Sequence, residues 1–374
     1  MTRIAIVATH PIQHFCPQYR SLSNHPAASV RVFFWSLRGL EAYEDRDFAR
    51  VVSWDRNMLS GVDFASLDES GEALAERLAE FDPAWVVVYG YRTPVARAAR
   101  TWAKQNARRV AYISDTEERH PEPRRRRWGR RLRMRTVFPS VDRFLTVGDA
   151  NEAFYRSCGV TAGRLVRMHF PIDPAMFDAA RDPGAVRATL GVEDDALMVL
   201  SVGKLIPRKR QADLIHATRG FDRREVHLVL VGSGPDEDHL KELSAGRANV
   251  TFAGFVPPGE LPPLYAAADV YAHVSDMDPH PLAVSEAAAG SCALLVSEAV
   301  GSWGPTDDVR PGETGAVVPT GNTDELARAL QRFAGDRPAT RAMGARARSC
   351  AEEHQRLAHG GFLDVLLDTT KGIE

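Results

Sequence analysis

Cysteine is scarce in this chain, and long apolar runs are missing from it. Its four cysteines, Cys16, Cys158, Cys292 and Cys350, stand far apart, with no CxxC pair and no histidine partner at zinc-ligand spacing. That pattern argues against a disulfide-built scaffold and fits reduced thiols in a cytoplasmic protein. No apolar run approaches the roughly 18–20 residues needed to span a bilayer. The opening Met1-Thr-Arg-Ile-Ala-Ile-Val-Ala8 has too short an apolar core for a signal peptide, and His10-Pro11 ends it. It reads as a first buried strand. Net charge is lacking too: 47 basic against 49 acidic side chains leave −2, which gives no case for general polyanion binding. The expected location is cytoplasmic, with peripheral contact at the inner membrane face left open.

What is present is length, 374 residues, enough for two domains with a core each. Apolar, β-branched runs alternate with helix-like stretches throughout, the pattern of two parallel α/β units. Strands are predicted at Ile4–Ala8, Val30–Trp35, Trp85–Tyr89, Val110–Ile113 and Arg143–Val147 in the first half. In the second half they fall at Met198–Val202, His227–Val231, Val250–Ala253, Val270–His273 and Ala293–Val296. Helices are predicted at Gly71–Glu80, Pro94–Asn106, Arg210–Thr218 and Thr323–Ala334. Phe170-Pro171-Ile-Asp-Pro174 reads as the joint, since its prolines forbid a helix running through. Near the C-terminus, Gly360-Gly361 predicts a bend in an otherwise helix-like segment.

The chemistry concentrates in the second half. Asp278-Pro-His-Pro-Leu-Ala-Val-Ser-Glu286 places two carboxylates eight positions apart at the C-terminal mouth of one βα unit. In open parallel sheets that mouth is where ligands bind, and acids there accept hydrogen bonds from sugar hydroxyls. The plainer alternative is that Asp278 caps the next segment and Glu286 is a first-turn acid favoured by the helix dipole. Ser201-Val-Gly203-Lys204-Leu-Ile-Pro-Arg208-Lys209 joins a strand to a helix. Its glycine permits close backbone approach, the helix start offers N–H groups, and the lysines add positive charge, a recipe for a diphosphate. Val231-Gly232-Ser-Gly-Pro235 ends another strand in a glycine turn. At Gly254-Phe255-Val256 a flat base could pack against exposed backbone.

In this order, Gly203-Lys204-x4-Lys209, Val231-Gly-Ser-Gly-Pro235, Phe252-Ala-Gly254, Leu264-Tyr-Ala-Ala-Ala-Asp269, Ser275, Asp278-x7-Glu286-Ala-x-x-Gly290 and Gly312-Glu-Thr-Gly315 resemble the donor half of the family 4 retaining glycosyltransferases. His10-Pro-Ile-Gln13, Phe34-Trp35-Ser, Val52-Ser-Trp54-Asp55, Gly90-Tyr91-Arg92 and Ser114-Asp115-Thr116 resemble the first half of a subgroup. The resemblance implies the GT-B architecture, two Rossmann-like α/β domains facing each other across a cleft. Residues 1–171 would form the acceptor side and 172–351 the nucleotide-sugar side, with 352–374 returning to the first domain. It also implies hexose transfer from a UDP- or GDP-linked sugar to a hydroxyl, with retention, no metal and no cofactor. Lys204 and Lys209 would hold the diphosphate, Lys204 as a point charge where the family usually has the fork of Arg. Glu286 would bind the ribose, and Asp278, one methylene shorter than the family's usual Glu, would lie near the transferred sugar. Gly203, Gly232, Phe255, Val256, His280, Leu282 and Ala283 complete the implied donor set. Pro279-His280-Pro281 replaces the common Gly-Phe-Gly, so backbone donors are lost and His280 is a possible substitute.

On the acceptor side the implied residues are Asp115, His10, Gln13, His14 and Arg92, each with a structural alternative; His120 reads as a surface residue. Arg124, Arg125, Arg126, Arg127, Arg130, Arg131, Arg133 and Arg135 fall in one short stretch without an acid. They could meet anionic lipid with Trp128 and Leu132 as anchors, steer a nucleic-acid acceptor such as hydroxymethylated DNA, or form a solvated face. Pro139 argues against a long amphipathic helix there. A sugar-nucleotide epimerase, a phosphorylase of the glycogen type and a non-enzymatic nucleic-acid-binding protein are the lesser alternatives.

Overall fold

A computed structural model describes all residues except 41–42, 46–49, 53–57, 68–70, 121, 173, 178–181 and 368–374. Trp54 and Asp55 therefore lie outside the described residues. The first half runs β1 (Thr2–Ala8), α1 (Cys16–Ser23), β2 (Ala28–Phe34), β3 (Tyr43–Asp45), β4 (Arg50–Val52), β5 (Phe64–Ser66), α2 (Gly71–Phe81), β6 (Trp85–Tyr89), α3 (Pro94–Gln105), β7 (Arg109–Ile113), α4 (Arg124–Val137), β8 (Arg143–Thr146), α5 (Asp149–Ser157) and β9 (Leu165–Arg167). The second runs α6 (Pro183–Thr189), β10 (Leu197–Val202), α7 (Gln211–Ala217), β11 (Val226–Val231), α8 (Glu237–Leu243), β12 (Val250–Gly254), α9 (Pro262–Ala267), β13 (Val270–His273), α10 (Leu282–Ala289), β14 (Ala293–Ser297), β15 (Gly315–Val318), α11 (Thr323–Gly335), α12 (Arg337–Arg356) and α13 (Phe362–Leu367).

Two large sheets result, ordered β5-β2-β1-β6-β7-β8-β9 and β12-β11-β10-β13-β14-β15, with all their pairings parallel, beside a separate antiparallel pair β3-β4. In each, the strand order reverses beside the first strand, so β10 and β13 flank the switch point of the second sheet. Helices cover both faces, which is why β14 and most of β10 are buried without alternation. The architecture is the two-domain α/β fold expected. The sequence reading missed β5, β9 and β15, short strands at or near sheet edges with little apolar length to mark them.

The last helices cross back. Asp336 caps α12 by accepting from Ala339 N at 3.0 Å. The chain then kinks at Leu357–Gly361, where Gly360 takes φ 154°, a value few side-chain-bearing residues tolerate. Beyond the kink, Phe362, Leu363 and Leu366 enter the apolar cluster of Ile4, Ile6, Phe15 and Tyr19 in the first domain. Gln18 Nε2 donates to Ala358 O at 2.7 Å and secures the crossing.

Candidate active site in the interdomain cleft

Three glycines end three adjacent strands at the cleft. Gly203, Gly232 and Gly254 have φ of 149°, 139° and 69°. Gly203 N donates to Val231 O at 2.9 Å and Gly232 N to Gly254 O at 2.8 Å. The packing leaves no room for a side chain: a Cβ on Gly232 would lie 1.9 Å from Gly203 O, and one on Gly234 2.3 Å from Leu205 O. A register shift at Leu230/Val231 brings Gly254 opposite Val231. The two glycine turns therefore form one backbone floor. Phe255 and Val256 follow it, partly buried.

Lys204 and Lys209 leave this floor toward the switch point. Gln211 Nε2 holds the Lys204 carbonyl at 3.0 Å. Lys209 Nζ pairs with Asp278 Oδ2. Asp278 Oδ2 also lies 2.9 Å from His273 Nε2. Burial disfavours the Asp278 carboxylate, yet the His273 hydrogen bond and the Lys209 charge outweigh it and hold its pKa well below the ordinary range. Burial in turn lowers the His273 pKa, so we assign the cluster's positive charge to Lys209 and a neutral imidazole to His273. The sequence reading missed His273, although a polar residue closing an otherwise apolar strand was a usable signal.

Glu286 is not a first-turn acid. Helix α10 begins at Leu282, four residues earlier than the Glu286-Ala-Ala-Ala run suggested, and no side chain caps it. Its start carries Leu282 and Ala283, both partly accessible, after a buried Pro281. Glu286 Oε2 accepts from Tyr265 Oη at 2.8 Å, and burial raises its pKa against that bond. The expectation that His280 offers a hydroxyl donor needs correction. Its ring is 6% exposed, lies edge-on to Phe170 and has Nδ1 3.3 Å from Ser302 Oγ, while buried Nε2 has no partner among the described residues. Burial lowers its pKa to about 4.

The first domain faces this site with fewer fixed groups. Asp115 stays accessible yet crowded: desolvation raises its pKa, its own backbone N–H opposes this, and the charges of Asp278 and Glu117 add to the rise. The two acids are thus close enough to feel each other across the cleft. His10 is exposed, with Nδ1 3.0 Å from Thr9 Oγ1. Gln13 opens a short turn, and His14 packs on Phe15 with its pKa lowered to about 4 by burial. Arg92 is exposed over the Tyr91 ring. His120 is not a plain surface residue: it pairs with buried Glu117 at 2.9 Å and lines a cavity of about 790 Å³ with Arg119, Arg210, Asp276 and Trp303.

Asp276-Met277-Asp278 forms an Asp-x-Asp spacing overlooked in the sequence reading. Its carboxylates are committed to different cations, Asp276 to Arg210 at 3.0 Å and Asp278 to Lys209. Among the described residues no group of three or more His, Cys, Asp or Glu is placed to hold a metal ion.

Residues 185–349 match the family model described as glycosyl transferases group 1. A D-inositol 3-phosphate glycosyltransferase of Saccharomonospora viridis is 31% identical over 315 residues, 76% of this chain and 66% of that protein. A GDP-mannose-dependent monoacylated alpha-(1-6)-phosphatidylinositol monomannoside mannosyltransferase of Corynebacterium glutamicum is 27% identical over 86% of this chain and 85% of its own. The match to the family model places the second half of the chain among the group 1 glycosyl transferases. The chain spans just under two thirds of the length of the Saccharomonospora relative. The solved HepE of Anabaena, in complex with UDP, shares the fold at TM-score 0.74 and 16% identity, covering 98% of this chain and 99% of that one.

Within this chain the two halves are latched by side chains that sequence reading missed. Asp307 Oδ2 accepts from Asp149 N at 3.0 Å, so an acid of the second domain caps α5 of the first. Asp149 Oδ2 accepts in return from Thr306 N at 2.8 Å, and Arg167 reaches Asp149 at 2.7 Å and Asp307 at 3.3 Å. Arg119 lies 3.6 Å from the Trp303 ring centre and donates to Trp303 O at 2.6 Å.

The arginine stretch divides in two. It forms α4, which ends at Val137, so no long amphipathic helix runs through Pro139, as expected. Arg127, Arg130 and Arg131 turn inward and pair with Glu118 and Glu122, acids just upstream of the run. Among the described residues no carboxylate pairs with Arg124, Arg125, Arg126, Arg133 or Arg135, all exposed beside Trp128, 68% exposed, and Leu132, 49% exposed. No described helix is long and apolar enough to cross a membrane.

Proposed function

We propose that the protein transfers a hexose from a nucleoside diphosphate sugar to an acceptor hydroxyl, with retention and without a metal ion. The observation that carries this reading is the meeting of the Lys209–Asp278 pair, the uncapped start of α10 and the glycine floor at one switch point. A diphosphate there meets an ammonium and helix N–H groups, which stabilise charge as it develops on the leaving group. Asp278 Oδ1, without a hydrogen-bond partner among the described residues, is free to accept from a sugar hydroxyl. Glu286 Oε1 is left for the ribose, since Tyr265 takes Oε2. Asp115 faces the acceptor. Retention enters through the motif order of the family 4 enzymes. Relatives named for GDP-mannose and a neighbour holding UDP keep both nucleotides in play.

A mass-shift screen with UDP- and GDP-hexoses, with and without excess EDTA, tests the reading. Turnover that survives chelation, with the anomeric configuration preserved by NMR, is expected. Failure to consume any sugar nucleotide, or loss on chelation restored by Mg²⁺, would overturn the reading or its metal-free part.

The exposed face of α4 favours an acceptor carried on an anionic lipid surface over a nucleic acid. Trp128 and Leu132 are one turn apart and ringed by unpaired arginines, an interfacial arrangement. Relatives named for phosphatidylinositol mannosides point the same way. Gln at Arg124, Arg125, Arg126, Arg133 and Arg135 should abolish co-flotation with liposomes rich in anionic lipid and leave sugar-nucleotide affinity unchanged. Weakened duplex-DNA binding with unchanged flotation would favour the nucleic-acid alternative.

A further inference from the structure

His273 ends β13 beneath the acid pair and is 4% exposed. Buried ring nitrogens are usually hydrogen-bonded, and both of those on His273 have neighbours. Tyr271 Oη lies 3.2 Å from Nδ1 and 3.3 Å from Val202 O. Nε2 lies 2.9 Å from Asp278 Oδ2, 3.1 Å from Ser275 Oγ and 3.4 Å from Lys209 Nζ. An ionised carboxylate only accepts, so the ring proton sits on Nε2 and is given to Asp278 Oδ2; the Lys209 ammonium then lies beside that N–H without bonding to it, and Nδ1 can only accept, in competition with Val202 O for the one proton of Tyr271 Oη. The contacts His273–Asp278–Lys209 thus link the end of β13 to the cleft.

We propose that His273 is a positioning residue for the sugar nucleotide, fixing Asp278 so that Lys209 is presented to the diphosphate and Oδ1 to the sugar. The inference rests on reading the cleft as a donor site. Geometry explains why a histidine is needed here. Aspartate is one methylene shorter than glutamate, so its carboxylate sits back toward the sheet, where an imidazole rising from the strand end reaches it. Both the Lys209 and His273 contacts converge on Oδ2, which leaves the other oxygen open. Without His273, the Lys209–Asp278 pair has no support from below, and the ammonium can swing with its flexible stem. Asp278 and His273 are therefore a matched pair, and their substitutions should not add.

The test measures hydrolysis of UDP-glucose and GDP-mannose by the full chain, with thermal unfolding in parallel. His273→Leu is expected to lower kcat/KM for donor hydrolysis at least tenfold with the unfolding temperature little changed. His273→Gln, whose amide nitrogen reaches the Nε2 position, is expected to recover to within threefold of wild type. Asp278→Glu should cost much less in the His273→Leu background than alone. Wild-type rates in His273→Leu, or Gln and Leu variants equally poor and equally destabilised, would overturn the inference and leave a core residue. A wild-type protein inactive on every sugar nucleotide would instead overturn the donor-site reading beneath it.

Discussion

The C-terminal wall of the cleft is built largely from backbone and the N-terminal wall from side chains. On the former, Gly203, Gly232 and Gly254 interlock so tightly that a Cβ on Gly232 would collide with the Gly203 carbonyl, and no side chain caps the start of α10. On the latter, Asp115, His10 and Arg92 reach solvent from the ends of strands without a shared frame. Backbone amides and helix ends recognise a diphosphate whatever sugar it carries. Exposed side chains on loops are free to suit one acceptor. Under the proposed function, this contrast would give generic chemistry to the second domain and specificity to the first.

Removing charge from the backbone-built wall should break the comparison most severely. Lys209→Ala and Glu286→Gln are each expected to cut turnover at least tenfold with the fold intact. A hydrogen bond to a charged group is worth roughly 1.5–3 kcal/mol. Circular dichroism and donor hydrolysis should be measured on the same samples. Asp115→Asn should fall mainly on acceptor kinetics. If Lys209→Ala left hydrolysis untouched while Asp115→Asn abolished it, the two walls would have to exchange roles.

The same contrast explains what could be read from sequence. Apolar alternation located the central strands, with β6 and β13 matching their predicted bounds, because a strand covered on both faces has no choice of residue. The glycine turns were legible because positive φ and close approach leave few alternatives to glycine. Contacts between side chains distant in sequence were not. Nothing near Asp307 announces that it caps α5, 158 positions away. The pairing of Arg130 with Glu118 and Glu122 was missed because the run was read without its upstream neighbours. His280 looked available in a Pro-His-Pro loop, yet that loop folds the ring against Phe170.

A smaller effect should come from filling the floor itself. Gly232→Ala places a methyl 1.9 Å from the Gly203 carbonyl at φ 139°. Strain of this kind costs about 1–3 kcal/mol, so the unfolding temperature of the second domain should drop by several degrees. UDP or GDP affinity should fall with it, since the turn must open. Gly259→Ala, with nothing within 4 Å, is the matched control and should behave as wild type. Equal behaviour of the two variants would mean that the floor is not rigid.

The smallest expected effect concerns the latch that holds the two walls together. Asp307 is 0% exposed beside the Asp149 carboxylate, and its pKa is pushed up to about 8, by burial first and then by Asp149, against the opposing charge of Arg167. In the unfolded chain it would titrate near 4, as an ordinary aspartate does. Between those values the folded protein keeps a proton that the unfolded chain has released. The stabilising contribution of that proton is complete below about pH 4 and fades as pH rises through about 8. One proton changes stability by at most about 1.4 kcal/mol per pH unit, and less where Arg167 and the Asp149 amide share the charge. Unfolding temperatures of wild type and Asp307→Asn should therefore be compared from pH 5 to 8. The amide cannot ionise, so the variant should show the shallower decline, and the gap between the curves should narrow or reverse toward pH 8. Parallel curves would place an ionised Asp307 in the folded state and make the latch a plain ion pair with Arg167.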